Sequence, residues 1–474
     1  MAQATAGSNS GPSSKRVAIV GAGISGLSAA FMLKKAGWEP VLFDARPRAG
    51  GVLETARVDE CLVAGGPDSY LAQKPWATAL IRELGMADDL IGSNDHQRKT
   101  YIVRNGRLVP MPDGLLMMVP TKVMPMVGTR LLSWPTKLRM GLELFRTAPA
   151  KPRPDDVSVA DFFRDHYGQE AVDYLAEPLL AGVYGGDPER MSASSVLGRF
   201  VELERKYGSL SRGVLAEKRK RAAPAAGNQP AGPIFRALKN GMGSLVDRLV
   251  GAIGADRFHL GSQVESLERA DGGFRLRTSA GSFEAARVIL ATPAYGAAAL
   301  LGSLEPAAAG LLNQIPYNSS ATVALRFEMA ELRRPPEGFG FLVPRRERQT
   351  MVAATYVQNK FNFRVDPGSA LFRCFVGNAA ACDENLKDDG SLVEAVLSDL
   401  KRLTGLSGTP KAVRVFRWQR AMAQYEVGHA RRIAEIQERM RAVPGVCLAG
   451  NAYEGIGIPD CVRTGQRAAE ACLQ

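Results

Sequence analysis

The chain of 474 residues is long enough for two or three domains, each with its own hydrophobic core. Its hydrophobic share of 46% and charged share of 23% are typical of a folded globular protein and argue against disorder. No uncharged apolar run reaches the roughly 18 residues of a spanning helix, and the net charge of +12 indicates an anionic partner, which could be nucleic acid, acidic lipid or a carboxylate-bearing substrate.

The N-terminal residues and the cysteines indicate the cellular compartment of the protein. Residues 1–14 are small and polar without an apolar core, which predicts a disordered tail rather than a secretory signal or transit peptide. The six cysteines lack CxxC spacing, so neither a zinc site nor a disulfide framework is indicated, and no cluster of ligands predicts a metal site. We therefore expect a cytoplasmic protein in a reducing compartment.

The first predicted elements form a β-turn-α-β unit. The strand Arg16–Val20 leads into the glycine-rich turn Gly21–Gly26 (GAGISG), which Leu27–Ala36 follows as a helix and Pro40–Phe43 as a strand. In such a unit the GxGxxG glycines allow a tight turn and a close approach to a pyrophosphate at the N-terminus of the helix. Asp44 ends the second strand, where a carboxylate can accept a ribose hydroxyl. A Rossmann-like domain is predicted.

The middle of the chain differs in composition. Arg107–Met140 is rich in Met, Leu and Pro, which favours an irregular core layer; a surface that dips into lipid is the alternative. Val159–Leu180 and Ser194–Lys206 have helical patterns. The basic run Lys218–Arg221 continues into a Pro- and Ala-rich stretch with few aromatic residues, so 216–234 is predicted to be a mobile loop and nucleic-acid binding is not expected.

Strand patterns return in the second half. They cover Phe258–Leu290, Thr322–Phe327 and Leu371–Val376, and a last strand at Val446–Gly450 precedes a helix from about Arg463. The predicted fold class is α/β (α+β overall), with a Rossmann-like domain, a sheet-rich domain and a helical insertion.

Three segments carry a family resemblance. Arg46–Gly51 (RPRAGG), Arg287–Ala294 (RVILATPA) and the C-terminal block GVCLAGNAYEGIGIPDC resemble the FAD-contacting segments of the flavin amine oxidase superfamily. Arg48, Gly50 and Gly51 match the RxGG loop that lies along the pyrophosphate of FAD in that superfamily. The resemblance implies non-covalently bound FAD as cofactor, rather than NAD.

A finer resemblance is to the protoporphyrinogen oxidase family, and it covers nearly the whole chain. The matching segments are Gly66–Tyr70 (GPDSY), Glu177–Ser192 (EPLLAGVYGGDPERMS), Gly338–Pro344 (GFGFLVP), Trp418–His429 (WQRAMAQYEVGH) and Gly457–Cys461 (GIPDC). The second is the most specific, because general amine oxidases and carotenoid desaturases lack it. The coproporphyrinogen III-oxidising bacterial branch of the family is an open alternative.

The resemblance also implies a reaction. Protoporphyrinogen IX or coproporphyrinogen III would lose six electrons in haem biosynthesis, with three O₂ giving three H₂O₂. Flavin N5 would take the hydride, so no side chain is expected to be a catalytic residue. Two rivals stay open: another flavin oxidase or desaturase of the superfamily, and a porphyrin- or flavin-binding protein without turnover.

The resemblance carries over to specific residues. The substrate cavity would involve Gly182, Gly185, Leu342 and Phe361, and Arg98 or Lys99 would hold a propionate. His166 and His429 are expected to be structural or at the surface rather than catalytic. The predicted cofactor-binding residues are Gly21, Ala22, Gly23, Ile24, Ser25, Gly26, Asp44, Ala45, Arg46, Arg48, Gly50, Gly51, Gly66, Pro67, Asp68, Val264, Thr292, Trp418, Gly450, Asn451, Gly457, Ile458 and Pro459.

The domains follow from these assignments. Peripheral contact of 108–140 with the inner face of the cell membrane, and homo-oligomerisation, are left open. The predicted domains are an FAD-binding domain of 15–92, 235–294 and 440–474, a substrate-binding domain of 93–107 and 295–439, and a helical domain of 108–215.

Overall fold

The computed structural model describes residues 15–116, 118–147, 154–222, 232–377 and 387–474, so the predicted tail 1–14 lies outside the described residues. Within them the strands are Arg16–Val20 (β1), Glu39–Asp44 (β2), Thr55–Val58 (β3), Cys61–Ala64 (β4), Tyr70–Leu71 (β5), Leu90–Gly92 (β6), Thr100–Arg104 (β7), Arg107–Pro110 (β8), Leu115–Leu116 (β9), Val119–Pro120 (β10), Phe235–Leu238 (β11), Phe258–Leu260 (β12), Val264–Ala270 (β13), Gly273–Thr278 (β14), Gly281–Ala285 (β15), Arg287–Leu290 (β16), Tyr317–Glu328 (β17), Gly340–Leu342 (β18), Met351–Tyr356 (β19), Ser369–Val376 (β20), Ala412–Ala423 (β21) and Val446–Leu448 (β22).

The helices lie before, between and after these strands. Their bounds are Ile24–Lys35, Pro75–Glu83, Val123–Gly128, Trp134–Leu142, Val159–Tyr167, Gln169–Ala171, Glu177–Tyr184, Ala193–Tyr207, Leu210–Ala222, Gly243–Ile253, Ala294–Leu301, Pro306–Asn313, Val357–Lys360, Asp389–Thr404, His429–Met440 and Ile458–Leu473. We call Ile458–Leu473 the C-terminal helix.

A five-stranded parallel sheet forms the first layer, in the order β12-β2-β1-β16-β22. Its central strand β1 is apolar on both faces: Val17 and Ile19 pack into the core that includes the helix Ile24–Lys35 and the C-terminal helix, while Ala18 and Val20 pack into a second core. Burial on both faces explains why RVAIV is continuously apolar instead of alternating. The predicted Rossmann-like arrangement and α/β fold class are confirmed.

The strands of this sheet come from three distant parts of the sequence, as a discontinuous domain requires. Their parallel direction places the carboxyl ends of β1, β16 and β22 at one edge, where open α/β sheets bind ligands. The division of the whole chain into domains stays a prediction.

A seven-stranded mixed sheet forms the other main layer, in the order β21-β17-β20-β19-β18-β7-β8. Only the β7–β18 pair in it is parallel, among the pairs that the structure describes. The helix Asp389–Thr404 covers one face through Leu392, Val396 and Leu400, which are fully buried. The strands predicted at Thr322–Phe327 and Leu371–Val376 are β17 and β20, the second and third in this order, and both extend further than predicted.

The helical region is predicted correctly in kind but not in its boundaries. The prediction of one continuous helix over Val159–Leu180 is wrong. The first helix ends at Gly168, whose φ of 89° is left-handed, and a π-helical turn separates the next two helices. The helix predicted at Ser194–Lys206 is observed at Ala193–Tyr207. The C-terminal helix begins at Ile458 rather than near Arg463, because Pro459 in its first turn has a φ suited to helix initiation.

The basic segment also differs from the prediction. Residues 216–222 are not a loop but the end of the helix Leu210–Ala222, in which Glu217 pairs with Lys220 and with Arg199 of the preceding helix. These contacts offset part of the repulsion in the basic run. Residues 223–231 of the predicted loop lie outside the described residues.

The Met- and Leu-rich segment has a buried side and an exposed apolar side. Met118, Met126 and Met140 pack into the core of the helical region. The opposite side leaves large apolar side chains in solvent, which we call the exposed apolar face: Leu116, Val123, Met124, Val127, Trp134, Leu138, Leu142 and Phe145. Large apolar side chains exposed together in this way are typical of interaction surfaces. In the described part of the chain, no helix is long and apolar enough to cross a membrane.

Glu170 in the helical region bonds both to this segment and to β7. Its carboxylate accepts bonds from the backbone and hydroxyl of Ser133 at 2.9 and 2.6 Å, and pairs with Arg104 at 2.7 Å. Burial would raise the pKa of Glu170, but the bonds from Ser133, Thr136 and Arg104 outweigh it and lower the pKa to about 2.

Glu170→Gln is therefore expected to lower the free energy of unfolding by about 1–2 kcal/mol near pH 7, after allowing for partial exposure. Because the folded pKa is depressed, this contribution is present above pH ~4.5 and is lost as the pH falls towards about 2. Urea unfolding of both proteins from pH 7 downwards measures it. A stability difference that stays constant over this range would contradict the assignment.

Candidate functional site

The glycine-rich turn lies at the carboxyl end of β1. Gly21 has a φ of 107°, and a Cβ there would lie 2.5 Å from the carbonyl oxygen of Ala291, at the end of β16. A Cβ on Gly26 would lie 2.0 Å from the carbonyl oxygen of Gly21. At Gly23, by contrast, a Cβ would meet no atom within 4 Å. The turn is thus closed against the protein and open at Gly23, beside the N-terminus of the helix Ile24–Lys35.

Asp44 is held against this turn. Its Oδ2 accepts the backbone N–H of Ala22 at 2.8 Å, and its Oδ1 accepts that of Arg46 at 2.9 Å. Each carboxylate oxygen can accept a further hydrogen bond. The carboxylate is therefore fixed in position and still able to accept from a ligand hydroxyl.

The second turn, RPRAGG, is joined to the first. The backbone N–H of Gly50 donates to the carbonyl of Ala22 at 2.8 Å, and a Cβ on Gly51 would lie 3.2 Å from Cα of Gly23. Arg48 donates to the carbonyl of Gly51 at 2.7 Å and pairs with Glu54 at 2.6 Å. Side chains would separate the two turns, so the glycines keep both backbones close together.

Trp418 connects this turn to the seven-stranded sheet. The guanidinium groups of Arg46 and Arg48 each lie 5.9 Å from its ring centroid, and its indole N–H donates to the carbonyl of Gly65 at 3.0 Å. The structure thus brings together residues that are more than 350 positions apart in the sequence. This cluster of predicted cofactor-binding residues lies between the two sheets.

The C-terminal glycine segment completes the same edge of the parallel sheet. A Cβ on Gly450 would lie 3.7 Å from the carbonyl oxygen of Thr292, and one on Gly21 would lie 3.2 Å from its nitrogen. Asn451 donates from its amide to the carbonyl of Ala421 at 3.0 Å. The first glycine turn, Thr292 and Gly450 are therefore neighbours, although the sequence separates them by hundreds of residues.

Tyr425 shapes this segment and was missed in the sequence. Its hydroxyl donates to the carbonyl of Asn451 at 2.8 Å and accepts the N–H of Gly455 at 2.7 Å. His429 stacks on the Tyr425 ring at 4.0 Å. Burial lowers the pKa of His429 to about 4, so it is neutral at pH 7. The only sequence signal was that both residues lie within the segment Trp418–His429.

Tyr425→Phe is expected to lower the free energy of unfolding by about 1–2 kcal/mol, because the N–H of Gly455 and the carbonyl of Asn451 lose their partner. Denaturant unfolding measures the change. Tyr295→Phe is the matched control, since that hydroxyl makes one bond of 3.3 Å, to the carbonyl of Arg420. Equal effects of the two substitutions would contradict a bridging role for Tyr425.

An ion pair between a buried carboxylate and a partly exposed lysine, beside the C-terminal glycines, was also missed. Asp460 has a side chain only 5% exposed and pairs with Lys74 at 2.5 Å. A Cβ on Gly455 would lie 2.5 Å from the Asp460 carboxyl carbon, so the carboxylate packs directly on that turn. Burial, and then the charge of Asp460, raise the pKa of Tyr184 to about 12. Asp460 belongs to the GIPDC segment, whereas no motif around Lys74 indicated that Lys74 would be its partner.

The predicted substrate residues Gly182, Gly185 and Leu342 lie together. A Cβ on Gly182 would lie 3.5 Å from the Leu342 side chain, and one on Gly185 would lie 3.0 Å from the sulfur of Met422. The carbonyl of Gly185 accepts the amide of Asn318 at 2.7 Å. Three of the predicted substrate-binding positions are therefore neighbours, on a surface formed by the helix Glu177–Tyr184, β18 and β21.

The other three predicted substrate residues lie elsewhere. Phe361 is only 2% exposed and packs in the core of the parallel sheet, whereas Leu342 contacts the core of the helical region. Arg98 and Lys99 are exposed just before β7, where Lys99 pairs with Glu337 at 3.7 Å. Their roles towards a substrate stay predictions.

Two further cofactor predictions have other partners. Asp68 accepts bonds from Lys360 at 3.1 Å and pairs with Arg373 at 2.9 Å. Burial would raise the pKa of Asp68, but these two cations hold it well below its usual range. Val264 is buried in the second core with Phe43. Their roles towards FAD stay predictions.

His166 and His429, the two histidines expected to be structural or at the surface, are buried. His166 lies between two carboxylates, with Nδ1 2.9 Å from Glu143 and Nε2 3.1 Å from Glu204. Glu143 also accepts the hydroxyl of Ser209 at 3.0 Å, which fixes it inside the helical region. His166 therefore has an interior, structural position, and His429 packs behind Tyr425. In the described ranges, no group of three or more His, Cys, Asp or Glu could hold a metal ion.

Comparison with known proteins decides the family. The model of the family described as flavin containing amine oxidoreductase matches residues 24–473. The chain belongs to this family. The predicted flavin amine oxidase resemblance is thus confirmed, and the protein is a flavin-dependent oxidoreductase whose cofactor is FAD.

Individual members are similar over almost their whole length. The coproporphyrinogen III oxidase of Bacillus subtilis is 34% identical over 97% of this chain and 98% of its own. The protoporphyrinogen oxidase 2 of Arabidopsis thaliana is 28% identical over 97% and 94%. A crystal structure from Exiguobacterium sp. 255-15 with the provisional name protoporphyrinogen oxidase has a TM-score of 0.84 and 33% identity, over 98% of this chain and all of its own.

Proposed function

We propose that the two glycine turns and the C-terminal glycine segment hold FAD. The support is the open space at Gly23, which a Cβ would fill, beside the N–H groups at the start of a helix. Asp44 would accept a ribose hydroxyl, and Arg48 would lie along the pyrophosphate. Gly450 and Asn451, at the same sheet edge, would hold the ribityl phosphate, and Gly457 with Ile458 would lie beside the flavin ring. When bound, FAD supplies two-electron redox chemistry.

We further propose that the protein oxidises a porphyrinogen to the porphyrin in haem biosynthesis, with O₂ as acceptor. The observation that carries this is the 34% identity, over 97% of the chain, to a protein named coproporphyrinogen III oxidase. The proteins named protoporphyrinogen oxidase in plants are 28–29% identical. The higher identity favours coproporphyrinogen III as the substrate.

The residues of the chain would bind and position this substrate. Gly182 contributes no side chain to this surface and Leu342 contributes an apolar one, which suits a large tetrapyrrole. Arg98 and Lys99 are exposed cations that could pair with anionic propionates. The ion pair between the buried Asp460 and the partly exposed Lys74 would hold the turn at Gly455 in place. No side chain in this proposal acts as a dedicated base.

The experiment compares the two porphyrinogens with the purified, flavin-containing protein. Aerobic incubation is expected to yield a fluorescent porphyrin and three H₂O₂ per porphyrin, with a kcat/KM at least about tenfold higher for coproporphyrinogen III, a difference of roughly 1.4 kcal/mol. Peroxide and porphyrin are measured in the same samples. Flavin-loaded protein that forms neither product would overturn the assignment.

Two further measurements separate the rivals. Under anaerobic conditions a porphyrinogen should bleach the flavin, whereas a carrier without turnover would leave its absorbance unchanged. A panel of amines and polyenes should leave the flavin oxidised. Bleaching by an amine and not by a porphyrinogen would assign the protein to a different activity of the family.

We also propose that the exposed apolar face docks on an anionic lipid surface. Trp134, Leu138 and Leu142 recur at helical spacing and are 67%, 65% and 58% exposed, so they form one apolar stripe facing solvent. Lys122 and Arg130 are exposed in the same segment. An apolar stripe with flanking cations fits a lipid surface, because cations attract anionic headgroups.

Flotation with liposomes tests this docking. The wild-type protein is expected to float with anionic vesicles at low salt, and the double substitution Trp134→Ser and Phe145→Ser is expected to abolish flotation. Val427→Ser is the control, since Val427 is 44% exposed outside this face. Absence of wild-type flotation at low salt would contradict lipid docking.

A further inference from the structure

Two cysteines that are 25 residues apart meet at the edge of the parallel sheet. Cys447 lies in β22, the edge strand, and Cys472 lies in the last turn of the C-terminal helix. The thiol of Cys472 donates to the sulfur of Cys447 at 3.7 Å. Cys472 is buried, whereas Cys447 is partly exposed, so Cys447 is the member of the pair nearer to solvent.

The surroundings make the two thiols unequal. The hydrogen bond from Cys472, together with the charge of Arg287 on the neighbouring strand, lowers the pKa of Cys447 below its ordinary value. The pKa of Cys472, the donor, is raised. A thiol of lowered pKa is the better nucleophile near neutral pH, and a second thiol in contact can resolve its oxidised form.

The other described cysteines differ in this respect. Cys61 donates to Asp366 at 2.8 Å, and burial raises its pKa to about 11. Cys374 is fully buried, and burial raises its pKa. Burial also raises the pKa of Cys461, to about 12. Among the five cysteines that the structure describes, Cys447 alone combines a lowered pKa, partial exposure and a thiol in contact.

We infer that Cys447 and Cys472 are a peroxide-oxidisable thiol pair that closes to an intrachain disulfide. The Cys447 thiolate attacks one oxygen of H₂O₂ and breaks the O–O bond; the released hydroxide takes up a proton as water, and a sulfenic acid remains. The Cys472 sulfur then attacks the Cys447 sulfur and forms the S–S bond, the S–O bond breaks, and the sulfenic hydroxyl leaves with the proton of the Cys472 thiol as a second water. Two thiols are oxidised by two electrons, and one peroxide is reduced to two waters.

The position of the pair gives this oxidation a structural consequence. The segment between the two cysteines contains Gly450, Asn451, Gly455 and Asp460, which form one side of the candidate site. A bond between Cys447 and Cys472 closes this segment into a loop and ties the C-terminal helix to the sheet. The oxidised protein should therefore unfold at a higher temperature, by about 2–5 °C.

The test uses the full-length, flavin-containing protein, and it does not depend on the proposed function because peroxide is added. Reduced protein is exposed to H₂O₂, denatured and alkylated, and its intact mass and peptides are measured. We expect alkylation of four of the six cysteines, and a cross-link between Cys447 and Cys472. Digestion with trypsin and a glutamate-specific protease separates Cys447 from Cys461, because Glu454 lies between them.

Variants assign the roles. Cys472→Ser should leave a sulfenic acid on Cys447 that dimedone traps, Cys447→Ser should leave Cys472 unmodified, and Cys61→Ser should still form the cross-link. Retention of all six alkylatable thiols in the wild-type protein, or a cross-link to any other cysteine, would overturn the inference. The peptide map of the wild-type protein alone decides whether the disulfide forms, so a variant that fails to fold does not leave the inference untested.

Discussion

Replacing Asp68 by alanine is expected to lower the free energy of unfolding by about 3–5 kcal/mol. The Asp68 side chain is 14% exposed and lies between Lys360 at 3.1 Å and Arg373 at 2.9 Å, whose side chains are 14% and 3% exposed. Removing the carboxylate leaves two buried cations without this counterion, and an unpaired buried charge costs several kcal/mol. Urea unfolding at neutral pH measures the loss.

Matched variants separate this cause from simple loss of contact. If the unpaired cations are responsible, adding Lys360→Met and Arg373→Met to Asp68→Ala should restore part of the lost stability, because it removes the uncompensated charges. Glu284→Ala breaks an ion pair with Arg275 of similar length, 2.8 Å, whose side chains are 34% and 48% exposed. It should cost less than about 1 kcal/mol. Similar losses for Asp68→Ala and Glu284→Ala would contradict the buried-pair explanation.

Replacing Gly26 by alanine is expected to abolish flavin binding and to destabilise the fold by about 2–3 kcal/mol. A Cβ there would lie 2.0 Å from the carbonyl oxygen of Gly21, so the turn and the helix Ile24–Lys35 would have to separate. The flavin absorbance of the purified protein relative to its protein absorbance measures occupancy, and thermal unfolding measures stability.

Two other glycines are the controls. Gly23→Ala should weaken flavin binding without destabilising the flavin-free protein, because its Cβ would enter open space that the cofactor is proposed to occupy. Gly310→Ala, at an exposed position in the helix Pro306–Asn313, should leave flavin binding unchanged and raise stability by up to about 1 kcal/mol. Normal flavin content in Gly26→Ala would disprove the close-approach argument.

The glycine motif could be predicted because its conformation depends on residues that are close together in the sequence. A buried strand, a GxGxxG turn and a helix lie within about twenty residues, and Asp44 follows at the end of the next strand. β1 is observed at the predicted residues, and the family resemblance was recognisable because its segments are short and continuous. Helix boundaries were less predictable, as at Gly168, where one left-handed residue interrupts a helical pattern.

Contacts between distant segments could not be predicted in this way. Asp68 was predicted to bind the cofactor from its place in GPDSY, and its ion-pair partners Lys360 and Arg373, about three hundred residues away, could not be predicted from that segment. The exposed apolar face is a similar case. The Met- and Leu-rich composition identified the segment, but which of its side chains face solvent depends on how the segment packs. Phe361 was expected in the substrate cavity, and the structure places it in the core of the parallel sheet.

The sequence by itself determined the cofactor unit and the family, because backbone conformation and short motifs depend on neighbouring residues. The tertiary structure alone decided which side chains face one another: Tyr425 with Asn451 and Gly455, Lys74 with Asp460, and Cys447 with Cys472. Each of these contacts joins residues at least 25 positions apart, so its formation depends on how sheets and helices pack rather than on any local preference.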